Sequence, residues 1–158
     1  APMFERSPAM AGLRRSFMEK AIMNPQLTEI RVRGYHLDVY GHVNNARYLE
    51  FLEEARWHFF ETSGALQRFM DSGLAFVVVN INISYRRPAL LNESLVLHTS
   101  VKTINRRSGV LHQVIHLKDT EIVVADADVT FCLYDPKQDR SIAIEGEVLQ
   151  LLEQMAAL

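Results

Sequence analysis

Several features that would define other protein classes are missing from this 158-residue sequence. It holds one cysteine, Cys132, which excludes an intrachain disulfide and a cysteine-cluster metal site. Cys132 lies in an apolar strand-like run, so we predict that it is buried and acts as a small hydrophobic residue. A single cysteine also favours a reducing cytoplasm as the compartment. No apolar run approaches the roughly 20 residues that span a bilayer. The net charge is −2, whereas nucleic-acid binding requires a basic surface. We therefore expect a globular protein without membrane or nucleic-acid partners.

Two common kinds of catalytic machinery are also missing from the sequence. The six histidines lack metal-site spacing, and His112 and His116 fall in a predicted strand, where they share a face without converging. There is no Gly-x-Ser-x-Gly elbow and no glycine-rich phosphate loop. We therefore predict no metal and no cofactor, and we do not expect a serine hydrolase.

The first 28 residues differ from the rest because they contain four of the six methionines. A transit peptide fits this stretch only loosely, and a secretory signal would need an apolar core that is missing. We interpret residues 1–28 as an N-terminal extension, compatible with a surface helix over Leu13–Met23. Residues 29–158 are predicted to form one domain, since no linker or repeat interrupts them.

Hydrophobic periodicity predicts a short strand over Glu29–Tyr35 and then a long helix over Ala46–Glu61. The helix should bury one apolar stripe, with Asn44 or Asn45 as its N-cap. The members of that stripe are Tyr48, Leu52, Ala55 and Phe59. A second, short helix is predicted over Ala65–Ser72, ending at Gly73.

After Gly73 the apolar period changes from helical to alternating, which is typical of strands. Strands are predicted over residues 77–86, 94–104, 110–117 and 122–134, with a short one at 141–144 and a final helix over 145–155. In the first of these, Val77, Val79 and Ile81 should share the apolar face. Consecutive strands joined by short turns predict an α+β domain, with the long helix across one face of an antiparallel sheet.

The most informative stretch is residues 38–48, Asp-Val-Tyr-Gly-His-Val-Asn-Asn-Ala-Arg-Tyr. One carboxylate, Asp38, stands in a glycine-containing turn just before the predicted start of the long helix. A helix start offers unpaired N–H groups and partial positive charge, so an acid beside it has the parts for attack on a carbonyl. The structural alternative is an Asx-turn carboxylate, which is common for Asp in turns.

The pattern Asp-x-x-Gly-His-Val-Asn-Asn-x-x-Tyr-Leu-x-Phe between a strand and a long helix resembles the hotdog-fold thioesterases. It is most similar to the YbgC/FadM-like branch of the 4-hydroxybenzoyl-CoA thioesterase superfamily, as are the runs at residues 31–56 and 75–89. The resemblance covers residues 28–157. It implies a curved antiparallel sheet wrapped around one central helix. It also implies hydrolysis of medium- to long-chain fatty acyl-CoA at a site between the protomers of a homodimer or homotetramer.

The resemblance implies a role for each residue of the motif. Asp38 would attack the thioester carbonyl or activate water, and the Asn45 backbone N–H would bind the carbonyl oxygen. Gly41 would allow close approach of the acyl group, and His42 would orient the acid or bind substrate. Tyr48 could act directly or be a core aromatic whose hydroxyl lies near the site.

Three helix glutamates compete with Asp38, since another hotdog branch carries its catalytic acid on the helix. These residues, Glu50, Glu53 and Glu54, are interleaved with arginines, and Glu53–Arg56 has the i,i+3 spacing of an ion pair. A solvated or subunit-facing helix flank is the better interpretation for at least two of them.

Candidate substrate contacts follow from the chemistry of acyl-CoA. Guanidinium groups bind phosphates well, so the CoA phosphates could contact Arg86, Arg87, Arg106 and Arg107. The acyl chain should lie along apolar residues, for which Phe51, Phe76 and Val78 are the candidates. Two other functions stay open: an acyl-CoA binding module without turnover, and a dehydratase acting on hydroxyacyl thioesters.

Overall fold

The computed structural model describes residues 24–158. Residues 1–23 of the predicted 1–28 extension, with the helix over Leu13–Met23, lie outside the described residues. The chain forms β1 (Leu27–Arg31), a 3₁₀ turn (Gly34–His36), α1 (Asn45–Thr62), α2 (Ala65–Ser72), β2 (Ala75–Tyr85), β3 (Ser94–Ile104), β4 (Gly109–Leu117), β5 (Val123–Asp135), β6 (Arg140–Ile142) and α3 (Gly146–Ala156). The α+β order predicted from the sequence is confirmed.

The strands form one antiparallel sheet in the order β1-β3-β4-β5-β2, and β6 pairs with the end of β5. Short hairpins connect β3, β4 and β5, whereas β2 follows α1 and α2 and pairs with the far side of β5. The long strand β2 is therefore an edge strand of the sheet.

The long helix α1 begins at Asn45, directly after its N-cap residue Asn44. The Asn44 side chain accepts a hydrogen bond from the Ala46 N–H at 2.9 Å, which decides between the two predicted caps. The whole predicted stripe is buried against the sheet: Tyr48, Leu52, Ala55 and Phe59. This packing holds the N-terminal end of α1 beside the loop that carries Asp38.

A bulge in β2 corrects the predicted alternation of that strand. The register with β5 shifts between Val78 and Asn80, so Val79 has no partner and the inward face changes parity. Phe76 and Val78 point toward the core before the bulge, and Ile81 after it. The prediction that Val77 and Val79 share the buried face was wrong, since Val79 is 55% exposed.

Cys132 also differs from its prediction, because it is only partly buried. The odd positions of β5 from Ala125 to Leu133 are buried, so Cys132 falls on the opposite face of the sheet. Among residues 24–158, no helix has the length and apolar character needed to cross a bilayer.

Candidate active site

Asp38 lies in a tight loop that closes on itself. Its backbone N–H donates to the His42 carbonyl at 2.8 Å, and its carbonyl accepts from Gly41 N–H at 3.1 Å. Its carboxylate Oδ1 accepts from the N–H groups of Tyr40 (2.8 Å) and His42 (3.2 Å). The Asx-turn geometry is therefore present, and it holds one oxygen. No hydrogen-bond donor to Oδ2 is found between residues 24 and 158, so this oxygen can face a substrate.

Gly41 makes this loop possible. Its φ of +75° is in the left-handed region that glycine adopts at little cost. The chain then returns so that His42 forms an isolated bridge with Leu90. The His42 side chain is exposed and has no hydrogen bond among the described residues, so it can move toward a bound molecule.

The start of α1 supplies a backbone donor next to the Asp38 loop. Asn45 is the first residue of the helix, and its N–H has no acceptor among residues 24–158. The Tyr85 hydroxyl donates to the Asn45 carbonyl at 3.0 Å, which ties the end of β2 to the helix start. An unpaired N–H at a helix N-terminus is suited to bind a developing oxyanion.

Two buried side chains hold the loop in place. The His36 Nδ1 accepts from Arg33 N–H at 2.8 Å, and the His36 carbonyl accepts from Asn44 N–H at 2.8 Å. Burial is the main cause that lowers the pKa of His36, so its ring stays neutral at neutral pH. The Phe51 ring packs edge-on against His36 at 4.9 Å, so Phe51 belongs to this support.

Tyr48 is buried one turn into α1. Its hydroxyl accepts from Ala89 N–H at 3.0 Å, and burial is the main cause that raises its pKa. Its ring lies 5.4 Å from that of Tyr85. This placement matches the interpretation of Tyr48 as a core aromatic whose hydroxyl lies near the site.

The three helix glutamates are exposed. Glu50 pairs with Arg47 at 3.0 Å. The predicted Glu53–Arg56 ion pair is not formed within 4 Å; Arg56 instead donates to the Gln113 Oε1 at 3.1 Å. Gln113 is fully buried and also donates to the Leu52 carbonyl at 2.9 Å, which explains why Arg56 turns toward the sheet.

The four candidate phosphate-binding arginines fall into two separate places. Arg86 donates hydrogen bonds from Nε and one NH₂ group to the Asp126 carboxylate. Arg87 forms a bidentate pair with the Glu93 carboxylate, with both N–O distances at 2.9 Å. This pair lowers the pKa of Glu93 and raises that of Arg87, since each charge stabilises the other.

Arg106 and Arg107 lie at the other end of the sheet, where they line a cavity of about 540 Å³ between the β3–β4 hairpin and α3. Arg140 lines the same cavity, and none of the three forms an ion pair with another residue of the 24–158 range. Sequence reasoning missed Arg140 because no local motif marks it; only its strand pairing to β5 brings it beside the hairpin.

A second cavity, of about 300 Å³, lies between α1, α2 and the start of β2. Its wall is mainly apolar and includes two of the predicted acyl contacts, Phe76 and Val78, whereas Phe51 is elsewhere. The aromatic rings of Phe60 and Phe76 lie 5.1 Å apart in this wall. Leu74 lines both cavities, so they adjoin at the start of β2.

Comparisons with known proteins identify the family of this chain. The model of the thioesterase-like superfamily matches residues 32–152. The chain is 56% identical to the long-chain acyl-CoA thioesterase FadM of Escherichia coli over 128 residues, which are 81% of this chain and 97% of FadM. It is 29% identical to the acyl-CoA thioesterase YbgC of Haemophilus influenzae, over 75% of this chain and 88% of YbgC.

Solved structures show the same architecture. The crystal structure of YbaW, a probable thioesterase from Escherichia coli, superposes with a TM-score of 0.79 and 54% identity, covering 83% of this chain and 98% of YbaW. The hotdog fold and the thioester hydrolase predicted from the motif are thereby confirmed. The chain belongs to the thioesterase-like superfamily.

Proposed function

We propose that this protein hydrolyses medium- to long-chain fatty acyl-CoA to the free acid and CoA in the cytoplasm, with Asp38 as the reacting carboxylate. The observation that carries the proposal is that two neighbouring parts of the chain each offer a group without a hydrogen-bond partner among residues 24–158: Asp38 Oδ2 in the loop and the Asn45 N–H at the helix start. Membership of the thioesterase-like superfamily and the similarity to FadM support the substrate class.

In the proposed reaction the thioester carbonyl oxygen accepts a hydrogen bond from Asn45 N–H. Asp38 then removes a proton from water as it attacks the carbonyl carbon, or attacks this carbon itself to form an anhydride that water cleaves. In both routes the carbon–sulfur bond breaks and the thiolate of CoA takes up a proton. Gly41 gives the carbonyl access, His42 contacts the substrate, and Tyr48 positions the helix start. Hydroxylamine would capture an anhydride and so distinguish the two routes.

The edge strand β2 supports a dimer. One edge of this eleven-residue strand pairs with β5, and the other edge has no partner strand among residues 24–158. The exposed side chains of β2 include apolar ones such as Val79. A long unpaired edge of this kind is a template for pairing with a second chain. Antiparallel pairing of two copies about Asn80 would set Ala75 of one copy opposite Tyr85 of the second.

This pairing would complete the site. The Tyr85 hydroxyl donates to the Asn45 carbonyl, so Tyr85 lies at the end of β2 next to the proposed reacting groups. Ala75, at the other end of β2, follows Leu74, which lines both cavities. The thioester at Asp38 of one copy would then lie beside the cavities of the other. The CoA phosphates would bind Arg106 and Arg107, whose guanidinium groups lack the carboxylate partners that Arg86 and Arg87 have. Arg86 and Arg87 would contribute only through the N–H groups that do not donate to Asp126 or Glu93.

Replacing Asp38 tests the reacting group. Asp38→Asn keeps the shape and one acceptor oxygen but removes the base, so thiol release from palmitoyl-CoA should fall by at least 10²-fold. Glu54→Gln is the matched control on the exposed helix flank and should retain near-normal turnover. Normal turnover by Asp38→Asn would refute the assignment, and a loss confined to Glu54→Gln would move the acid to the helix. Tight acyl-CoA binding without turnover by the wild type would indicate a binding module instead.

Mixed dimers test the shared site. One copy carries Asp38→Asn, and the other carries Arg106→Glu with Arg107→Glu; two affinity tags isolate the heterodimer. If the arginines serve the partner's Asp38, one intact site forms, with wild-type KM and about half the wild-type kcat. If Asp38 and the two arginines of one chain instead formed a site together, each site of the mixed dimer would carry a substitution. Neither KM nor kcat would then return to the expected value. Arg86→Glu is a less specific test, because it also breaks the pair with Asp126.

A further inference from the structure

Three aromatic rings, those of Phe60, Phe69 and Phe76, form one part of the wall of the cavity beside α2, which we call its aromatic end. The helix α1 contributes the charged residues Glu53 and Arg56 to the wall, and the rest of the wall is apolar. Phe60 packs edge-on against Phe69 at 5.3 Å, and Phe76 stacks on Phe131 at 4.1 Å. Apart from Glu53 and Arg56, no charged residue of the range 24–158 lines the cavity, so the aromatic end suits a terminal methyl group and disfavours a polar chain end.

The short helix α2 forms one side of the cavity. It is bounded by Gly64 and Gly73, both in the left-handed conformation at φ +78° and +71°, so its eight residues form a separate unit between two turns. Phe69 is buried, and it lines the cavity together with Leu66 and Met70. Met70 is 65% exposed, a large apolar side chain at the rim.

We infer that α2 determines which acyl chains the enzyme accepts, with Leu66 and Met70 setting the length of chain that fits between α1 and the aromatic end. This inference rests on the proposed function and adds to it the residues that select the substrate. A volume of about 300 Å³ holds on the order of ten groups of water size, and a methylene is of similar size. The cavity therefore accommodates about ten carbons of an unsubstituted acyl chain.

Filling the cavity tests the inference. Leu66→Trp places a larger ring in the wall, and kcat/KM is measured for saturated acyl-CoA from hexanoyl to octadecanoyl. For the wild type, each added methylene should raise kcat/KM about fourfold until the cavity is full, corresponding to about 0.8 kcal/mol per methylene. Leu66→Trp should lower kcat/KM for hexadecanoyl-CoA at least tenfold while changing that for hexanoyl-CoA less than twofold.

Gln67→Trp is the matched control, since it adds the same ring to the exposed face of α2. It should leave the chain-length profile unchanged. If Leu66→Trp fails to fold, Met70→Trp at the exposed rim carries the same test. An equal loss at all chain lengths, or an unchanged profile, would overturn the inference. A wild type that cleaves no acyl-CoA would instead overturn the proposed function, so the two failures are distinguishable.

Discussion

Removal of one hydroxyl group at Tyr48 should destabilise the protein measurably. The Tyr48 hydroxyl accepts the N–H of Ala89, and Ala89 is fully buried. This bond joins the first turn of α1 to the segment between β2 and β3. Ala89 in turn accepts from Val43 N–H at 3.0 Å, so the bond also supports the loop that carries Asp38.

The magnitude follows from what Tyr48→Phe leaves behind. The ring stays in the core, so little apolar contact is lost, but a buried N–H loses its acceptor. An unsatisfied buried donor costs about 1–3 kcal/mol. For a chain of this length each kcal/mol lowers Tm by about 2–4 °C, so the expected decrease is about 2–12 °C.

Thermal and urea unfolding of Tyr48→Phe provide the assay. Tyr134→Phe is the matched control, because its hydroxyl bonds to Asp139 in an exposed hairpin. A surface change of this kind should stay within about 0.5 kcal/mol. Equal stability losses in both variants, or none in Tyr48→Phe, would refute the reasoning that burial of the Ala89 N–H sets the cost.

Three further predictions concern single positions. Gly109→Ala would place a Cβ 2.6 Å from Cε1 of Phe131, so the urea midpoint should fall by the equivalent of about 1–3 kcal/mol. Gly41→Ala would force a left-handed φ on alanine at a cost of about 1–2 kcal/mol and lower kcat, whereas Gly41→Asn should lose less, since asparagine tolerates that region. Burial lowers the pKa of His36 below 6.5, so its stabilising contribution is complete above pH 6.5. That contribution disappears as pH falls through the folded-state pKa, and urea midpoints of wild type and His36→Asn should converge in this window.

Local sequence patterns predicted the elements well where one residue pattern determines the structure. The bounds of α2 and of β3 agree with the predictions, because glycines and a short hairpin turn mark their ends. The N-cap of α1 followed from an asparagine before an apolar stripe. Patterns of this kind depend on neighbours in sequence, so they can be interpreted without tertiary contacts.

The β2 bulge and the arginine pairing could not be predicted in this way. The run Phe76–Val79 is apolar at every position, so alternation cannot tell which side faces the core, and packing against β5 decides. Arg87 and Arg107 look equivalent in the sequence. Only the fold places Glu93 beside the first and leaves the second without a carboxylate partner among the described residues.

The distance between the two halves of the proposed site argues for a second copy. The ten steps from Ala75 to Tyr85 extend over about 33 Å at roughly 3.3 Å per residue. In one chain this length separates the Asp38 loop from the arginine cavity, and it exceeds the length of the pantetheine arm that joins the sulfur of CoA to its phosphates. Antiparallel pairing of two β2 strands removes the separation, because each strand's end meets the other's beginning. The proposed catalytic acid is thus recognisable from one local motif, while the proposed binding groups would acquire a role only in a dimer, which the sequence of one chain does not display.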